Sequence, residues 1–270
     1  MFDLDAYLER VGLSGRPGLA ELHRAHVTSI PFENLDPLRG VPVSLEPDAL
    51  ERKLVRARRG GYCYEQNLLL AAALRALHFD VELLLARVRL GMPAGTLRPR
   101  THLVLRVRDG DAVWHADVGF GGGTLLEPIP FGPGEVHTQS GWSFRVVEDG
   151  RELVLQTHDD GEWKDVYALV RDPVPLVDVE TSNWFSSTHP SSKFTGKLVV
   201  TANRDDGSRV SLTGRDRLVL IERSPSETRV TPVSLEEVPR LLGAVFGLPG
   251  FVVDAAGNVV PGEAALAPGA

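Results

Sequence analysis

Over the first 80 residues, apolar positions recur at helical spacing. Leu4, Leu8 and Val11 fall at i, i+4 and i+7 behind Asp3, a residue type that caps helix starts. Leu19 to Val27 form a second short periodic segment, and Ser44 precedes Leu50 and Leu54 in a third. Pro31, Pro37, Pro42 and Pro47 punctuate the region, so these helices are predicted to be short. Leu68 to Leu77 differs, with apolar residues on nearly every face of a run of strong helix formers, and predicts a buried helix. The period changes at Asp80. Val81 to Leu90, His102 to Arg108, Ala112 to Val118, Trp142 to Val147 and Glu152 to Thr157 are rich in Val, Leu and aromatics and separated by turn residues, which predicts an antiparallel sheet or barrel. Two strand pairs follow, Leu198 to Ala202 with Val210 to Thr213, and Leu218 to Glu222 with Thr228 to Pro232. Ser234 and Glu237 make a capping box before a last helix, whose first turns Pro239 renders irregular. The tail from Gly257, rich in Gly, Ala and Pro, is expected to be mobile. Helices, then strands, then a mixed segment fit an α+β protein better than a doubly wound one.

The length of 270 residues favours about two domains, with three small ones or one large one still allowed. Lys plus Arg number 29 against 36 Asp plus Glu, a net charge of −7, which argues against nucleic acid or an anionic membrane as partner. The longest apolar run, Leu68 to Leu74, is far short of the roughly 20 residues that span a bilayer. The opening residues lack the basic start and apolar centre of a signal peptide, so the expected location is cytoplasmic.

Cysteine narrows the chemistry. The single one, Cys63, excludes an intrachain disulfide and a Cys-rich zinc site. A lone Cys is usually a small buried hydrophobe, but this one follows Gly60-Gly61 and opens the Leu68 to Leu77 helix. The glycines supply a tight turn or a close backbone approach, and the first helical turn favours an anion such as a thiolate. A helix start beside a cation brings a thiol pKa from about 8.5 into the range of about 3.5 to 7.5.

A base is supplied by the hairpin from Thr101 to Phe120. Asp109-Gly110 is a favoured dipeptide for a two-residue loop, and with that loop opposed residues have numbers summing to 219, setting His102 across from Asp117. The carboxylate would then hold the imidazole by its Nδ1–H. A three-residue loop would send the two side chains to opposite faces. A metal site of His102, His115 and Asp117 is a rival reading, disfavoured because no His-Glu-x-x-His spacing exists; no metal is expected. His23, His26, His78, His137, His158 and His189 read as surface or satisfied core. Gly119 to Thr124 lacks the Gly-Lys-Ser/Thr ending of a phosphate cradle and reads as an open turn.

Four blocks bear on a family: Ile30-Pro31-Phe32-Glu33-Asn34-Leu35, Arg59 to Asn67, Thr101-His102 with Asp117 to Gly121, and Asn183 to Phe194. In order and spacing the chain resembles the arylamine N-acetyltransferases. The resemblance implies a cysteine-protease-like core of three parts. These are a helical bundle over 1–80 carrying the nucleophile, an antiparallel β-barrel over 81–180 carrying His and Asp, and an interdomain segment with an α/β lid over 181–270. It implies Cys63 as nucleophile, His102 as base and Asp117 as orienting carboxylate. The implied reaction is a ping-pong exchange in which acetyl-CoA acetylates the cysteine and an arylamine, arylhydrazine or hydrazide removes the acetyl group. The resemblance implies acetyl-CoA as a cosubstrate, with no permanently bound cofactor. Phe32, Phe120 and Phe194 are the candidates for the acceptor's apolar slot. Arg59, Lys193 and Lys197 could meet the phosphates of CoA, although Arg59 could instead hold the turn beside Cys63 through a carboxylate such as Glu65. Alternatives are a macrolactam-forming polyketide amide synthase of the same family and a Cys-His-Asp thiol hydrolase. Self-association stays open.

Overall fold

The computed structural model of the chain describes residues 2–93 and 95–262. Helices α1 (Leu4–Val11) and α2 (Leu19–Ser29) lead to a two-residue strand β1 (Phe32–Glu33), the short α3 (Leu35–Leu38) and α4 (Pro47–Leu50), and then α5 (Cys63–Ala76). Asp3 caps α1 as expected, accepting from the Ala6 amide at 3.0 Å. The third expected helix is split: after Leu50 the backbone widens into a π-helical turn over Glu51–Arg56. α5 is buried almost throughout, in keeping with its unbroken apolar run.

Strands β2 (Asp80–Val88), β3 (His102–Asp109), β4 (Ala112–Ala116), β5 (Ile129–Pro130), β6 (His137–Gln139), β7 (Trp142–Asp149), β8 (Glu152–Asp159) and β9 (Glu162–Leu169) form one antiparallel sheet. Its order is β5-β4-β3-β2-β9-β8-β7-β6. The sheet curls until its edges nearly meet, and Gln139 of β6 bridges the gap by accepting from the Leu126 amide (2.9 Å) and donating to the Glu127 carbonyl (2.8 Å). Period-two alternation sorts the side chains of β2 into two cores. Leu83 and Leu85 pack with the helices, whereas Leu84 and Ala86 point into the barrel with Val104, Phe144 and Tyr167. Both faces are buried, so the strand reads as a continuous apolar run.

Helix α6 (Leu176–Thr188) follows, then β10 (Leu198–Asn203), β11 (Arg209–Gly214), β12 (Leu218–Arg223) and β13 (Thr228–Val233), helix α7 (Val238–Phe246), and the hairpin of β14 (Phe251–Val253) and β15 (Val259–Pro261). The second sheet runs β1-β10-β11-β12-β13, so a strand from the N-terminal segment begins it. Ser234 and Glu237 form the expected capping box around a 3-10 turn before α7. The expectation of a mobile tail from Gly257 is corrected for Val259–Pro261, which pairs with β14; residues 263–270 lie outside the described residues. Among the described residues no helix is long and apolar enough to cross a membrane.

Candidate active site

Cys63 occupies the first position of α5, with Tyr62 before it in extended conformation and Glu65 accepting from the Tyr62 amide at 3.1 Å. The glycine pair before it serves close approach. A Cβ on Gly60 would stand 2.2 Å from the Pro31 carbonyl oxygen, and Gly61 bridges to Phe32. Arg59 is held by carboxylates as expected, but not by Glu65. Arg59 holds Glu33 (2.7 Å) and Asp36 (3.1 Å), while Glu65 is taken by Lys53 (2.7 Å), whose shorter reach from the π-helical turn ends beside it. Burial, opposed by Lys53, pushes the Glu65 carboxyl up to about 7.

The hairpin joining β3 and β4 turns at Gly110-Asp111, one residue later than expected. Asp109 pairs with Ala112 and Leu105 with Ala116, so pair numbers sum to 221 and not 219. Gly110, at the first central position, takes the positive φ (58°) that such a loop asks of glycine. His102 and Asp117 are therefore diagonal neighbours, not directly opposed. A shift of two preserves the face, and they still meet. β4 also ends at Ala116, short of the expected Val118. Side chains take the next amides: Asp117 donates to Nε2 of His23 (3.1 Å) and Val118 to Oδ1 of Asn67 (3.1 Å).

The contact itself uses the other ring nitrogen. His102 donates from Nε2 to Oδ2 of Asp117 at 2.8 Å, which leaves Nδ1 clear of the carboxylate, while the Cys63 sulfur lies 3.8 Å from the Thr101 carbonyl oxygen. Asp117 is fully buried and its carboxylate accepts three further hydrogen bonds. Tyr167 of β9 donates to Oδ2 (2.9 Å), and Asn67 Nδ2 (3.0 Å) and the Gly119 amide (2.8 Å) donate to Oδ1. Burial alone would raise this carboxyl, but His102, Asn67 and Gly119 together hold it well below the usual range. For His102 burial works against the cation, yet Asp117, with Cys63 adding to it, raises the imidazole to about 9. Both partners thus favour the protonated ring. His115 donates from Nε2 to the Tyr167 hydroxyl (2.7 Å), and burial pulls its pKa down to about 4. His23 is likewise pulled down to about 4 by burial and donates from Nδ1 to the Leu126 carbonyl (3.0 Å). Among the described residues no group of three or more His, Cys, Asp or Glu is arranged to hold a metal ion.

Cys63 and His102 open onto a cavity of about 620 Å³ between helices, barrel and α6. Phe32, Phe120 and Phe194 all line it. Phe120 stands edge-on to the His102 ring with centroids 5.1 Å apart, and Phe32 and Phe194 are 5.9 Å apart. Of the three cations named from sequence, Lys193 lines the cavity, whereas Arg59 is committed to its carboxylates. The Gly119 to Thr124 turn starts hard against the backbone of Cys63. A Cβ on Gly119 would lie 2.7 Å from the Cys63 Cα and 2.6 Å from Asn67 Nδ2. Asn67 and Tyr167 were not singled out from sequence. Asn67 had a usable signal, being one turn along α5 from Cys63 and on the same face.

Residues 17–251 match the protein family described as N-acetyltransferase. The chain is 44% identical over 227 residues to an arylamine N-acetyltransferase of Mycolicibacterium smegmatis, covering 80% of this chain and 82% of that protein. It is 35% identical over 255 residues to one from Mycobacterium tuberculosis H37Rv, covering 91% and 89%. Among solved structures, that of Mycobacterium marinum arylamine N-acetyltransferase in complex with CoA matches with a TM-score of 0.86 at 37% identity, over 91% of this chain and 93% of that one.

Proposed function

The chain belongs to the arylamine N-acetyltransferase family, and from that premise we propose that it carries acetyl from acetyl-CoA to an aromatic amine or hydrazine through an acetyl-thioester on Cys63. The observation that carries this reading is the buried His102–Asp117 hydrogen bond together with the apolar, Phe-walled cavity that Cys63 and His102 line side by side. The sulfur attacks the thioester carbonyl, and the intermediate collapses by expelling CoA as a thiolate. That thiolate takes the proton that His102, an imidazolium at pH 7, holds ready. The second step reverses the roles: the amine attacks acetyl-Cys63, now neutral His102 accepts the amine proton, and the sulfur leaves as an anion paired with the restored imidazolium. Asp117, already ionised and saturated with donors, orients the ring and balances its charge without itself taking the proton. The Cys63 amide, in the first turn of α5 where backbone donors lack intrahelical partners, is the donor proposed for the oxyanion. Phe32, Phe120 and Phe194 form the slot for a flat ring.

The test is a half-reaction. Protein mixed with acetyl-CoA and no amine should gain one acetyl group on the peptide bearing Cys63, and release it when an aniline or hydrazide is added. Transfer that proceeds at an undiminished rate in Cys63→Ala would refute the intermediate.

A further inference from the structure

Arg209, the first residue of β11, is 3% exposed, yet among the described residues no carboxylate pairs with its guanidinium. Burial and the neighbouring Arg223 pull its pKa down to about 9, with Asp159 opposing them. A buried cation without a partner is costly, and what it holds gives a reason for it. The guanidinium lies over the Trp142 ring of β7, 4.1 Å from the centroid, and Trp142 donates from Nε1 to the Gly207 carbonyl (2.7 Å). Its Nε finds no acceptor, while Nη1 donates to the Gly122 carbonyl (3.0 Å) and Nη2 to that of Thr124 (3.1 Å).

Those two carbonyls flank Gly123. The Phe120 ring rests on that glycine, where a Cβ would stand 3.1 Å from the ring. The same ring is edge-on to His102 at 5.1 Å and lies 5.4 Å from Tyr167, the two side chains that donate to Oδ2 of Asp117. Four of the six residues from Gly119 to Thr124 are glycine, so the turn has little stiffness of its own. It is fastened at one end by Asp117, which accepts from the Gly119 amide, and at the other by a planar fork from the second sheet.

We propose that Arg209 is a positioning residue for acetyl transfer: by gripping the carbonyls on either side of Gly123 it fixes the seat of Phe120, and through that ring the surroundings of His102. The inference rests on the reading of Cys63 given above and extends it to the second sheet. Acetyl-Cys63 has two fates. Attack by an amine gives the amide, whereas attack by water forms a C–O bond, breaks the C–S bond and releases acetate, the proton passing to neutral His102. A Phe120 ring held against His102 screens the imidazole from water and favours the amine.

The experiment supplies acetyl-CoA and a fixed concentration of aniline and measures the ratio of acetate to acetanilide formed. Both products come from one intermediate, so the ratio does not depend on how much of a variant is folded. Arg209→Gln should raise it about tenfold. Arg209→Lys, whose single nitrogen cannot span both carbonyls as the fork does, should fall between, and it carries the test alone if the Gln variant does not fold. In a Phe120→Ala background, where the ratio is already raised, Arg209→Gln should add less than about twofold. A wild-type ratio in either Arg209 variant overturns the proposal, as does an undiminished rise in the absence of Phe120. If Cys63 takes up no acetyl group, the underlying reading fails on its own terms, and NMR then decides the inference. The His102 ring-proton shifts, which sense the Phe120 ring, should move in the Arg209 variants; shifts identical to the wild type end it.

Discussion

Two polar networks flank Cys63, and they are built on opposite plans. In the helical half, Glu33, Asp36 and Glu65 interlock with Lys53 and Arg59, so that every ion has a partner of the other sign. In the barrel half a single carboxylate, Asp117, gathers one imidazole, one hydroxyl, one amide side chain and one backbone amide. The first network closes on itself and braces the approach of residues 30–36 to the start of α5. The second remains open at one atom, the ring nitrogen of His102 that the carboxylate does not take. Both tolerate burial because each charge is met by hydrogen bonds, but only the second leaves a proton where it can be exchanged.

This contrast can be broken most directly at the open end. Replacing His102 or Cys63 by Ala should abolish acetyl transfer in an assay with an arylamine acceptor, while Cys63→Ser should keep no more than a trace. Asp117→Asn should lower kcat/KM by roughly a thousandfold or more. It should also return His102 to the neutral form at pH 7, read from the ring nitrogen shifts by NMR; an imidazole that stays cationic would contradict the role assigned to the carboxylate. Gly119→Ala, which puts a methyl group against Cys63 and Asn67, should cost about a hundredfold in kcat/KM by displacing the sulfur.

In the closed network the signature should differ. Glu33→Gln removes one side of a buried pair and should lower unfolding free energy by about 3 kcal/mol in urea titrations. The folded enzyme should keep its pH profile. Tyr167→Phe sits between the two cases: it withdraws one donor from Asp117 and leaves His115 without its acceptor, for a loss of about 1 to 2 kcal/mol and a severalfold fall in rate. The pH dependence of stability has a defined direction on the barrel side. His102 has a folded pKa of about 9 against 6.5 unperturbed, so its contribution is whole below about 6.5 and is lost as pH rises toward 9. The Asp117 contribution is present above its ordinary 3.8 and is lost in acid. Melting temperatures of wild type and Asp117→Asn should therefore converge at both ends of the pH scale.

Much of this site was legible because its parts are signalled locally. Gly60-Gly61 followed by a run of helix formers marked Cys63 as the opening of a buried helix, and the alternation around Asp109-Gly110 brought His102 and Asp117 to one face. The hairpin was misregistered by two, because Asp109-Gly110 and Gly110-Asp111 are both good turns, but a slip of two leaves the facing unchanged. Which imidazole nitrogen meets the carboxylate is a matter of side-chain rotation that no spacing reports. Tyr167 was out of reach for a different reason. It arrives through the pairing of β9 with β2, Val88 opposite Tyr167, across nearly eighty residues of chain. α6 was missed because Ser182, Asn183, Ser186 and Ser187 occupy its inward side in place of an apolar stripe. Asn183 accepts from Tyr62, and Ser182 and Ser186 bond to Tyr64, tying the second block of the family resemblance to the fourth. Asn34 does the same for the first block, donating to the Phe194 (2.8 Å) and Lys197 (2.7 Å) carbonyls. What look like separate motifs along the chain are the two ends of these long-range hydrogen bonds.

The absence of a side chain at Gly119 bears on how this protein can vary over time. The spacing between the backbone of Cys63 and the turn that leaves β4 beyond Asp117 is set there by bare main chain, with no room for a methyl group. Most surrounding side chains can be exchanged for others of similar bulk and the separation stays as it is. Adaptation to new amines is then free to remodel the walls of the cavity, while the joint that aligns the reacting atoms is kept by a residue that contributes no chemistry.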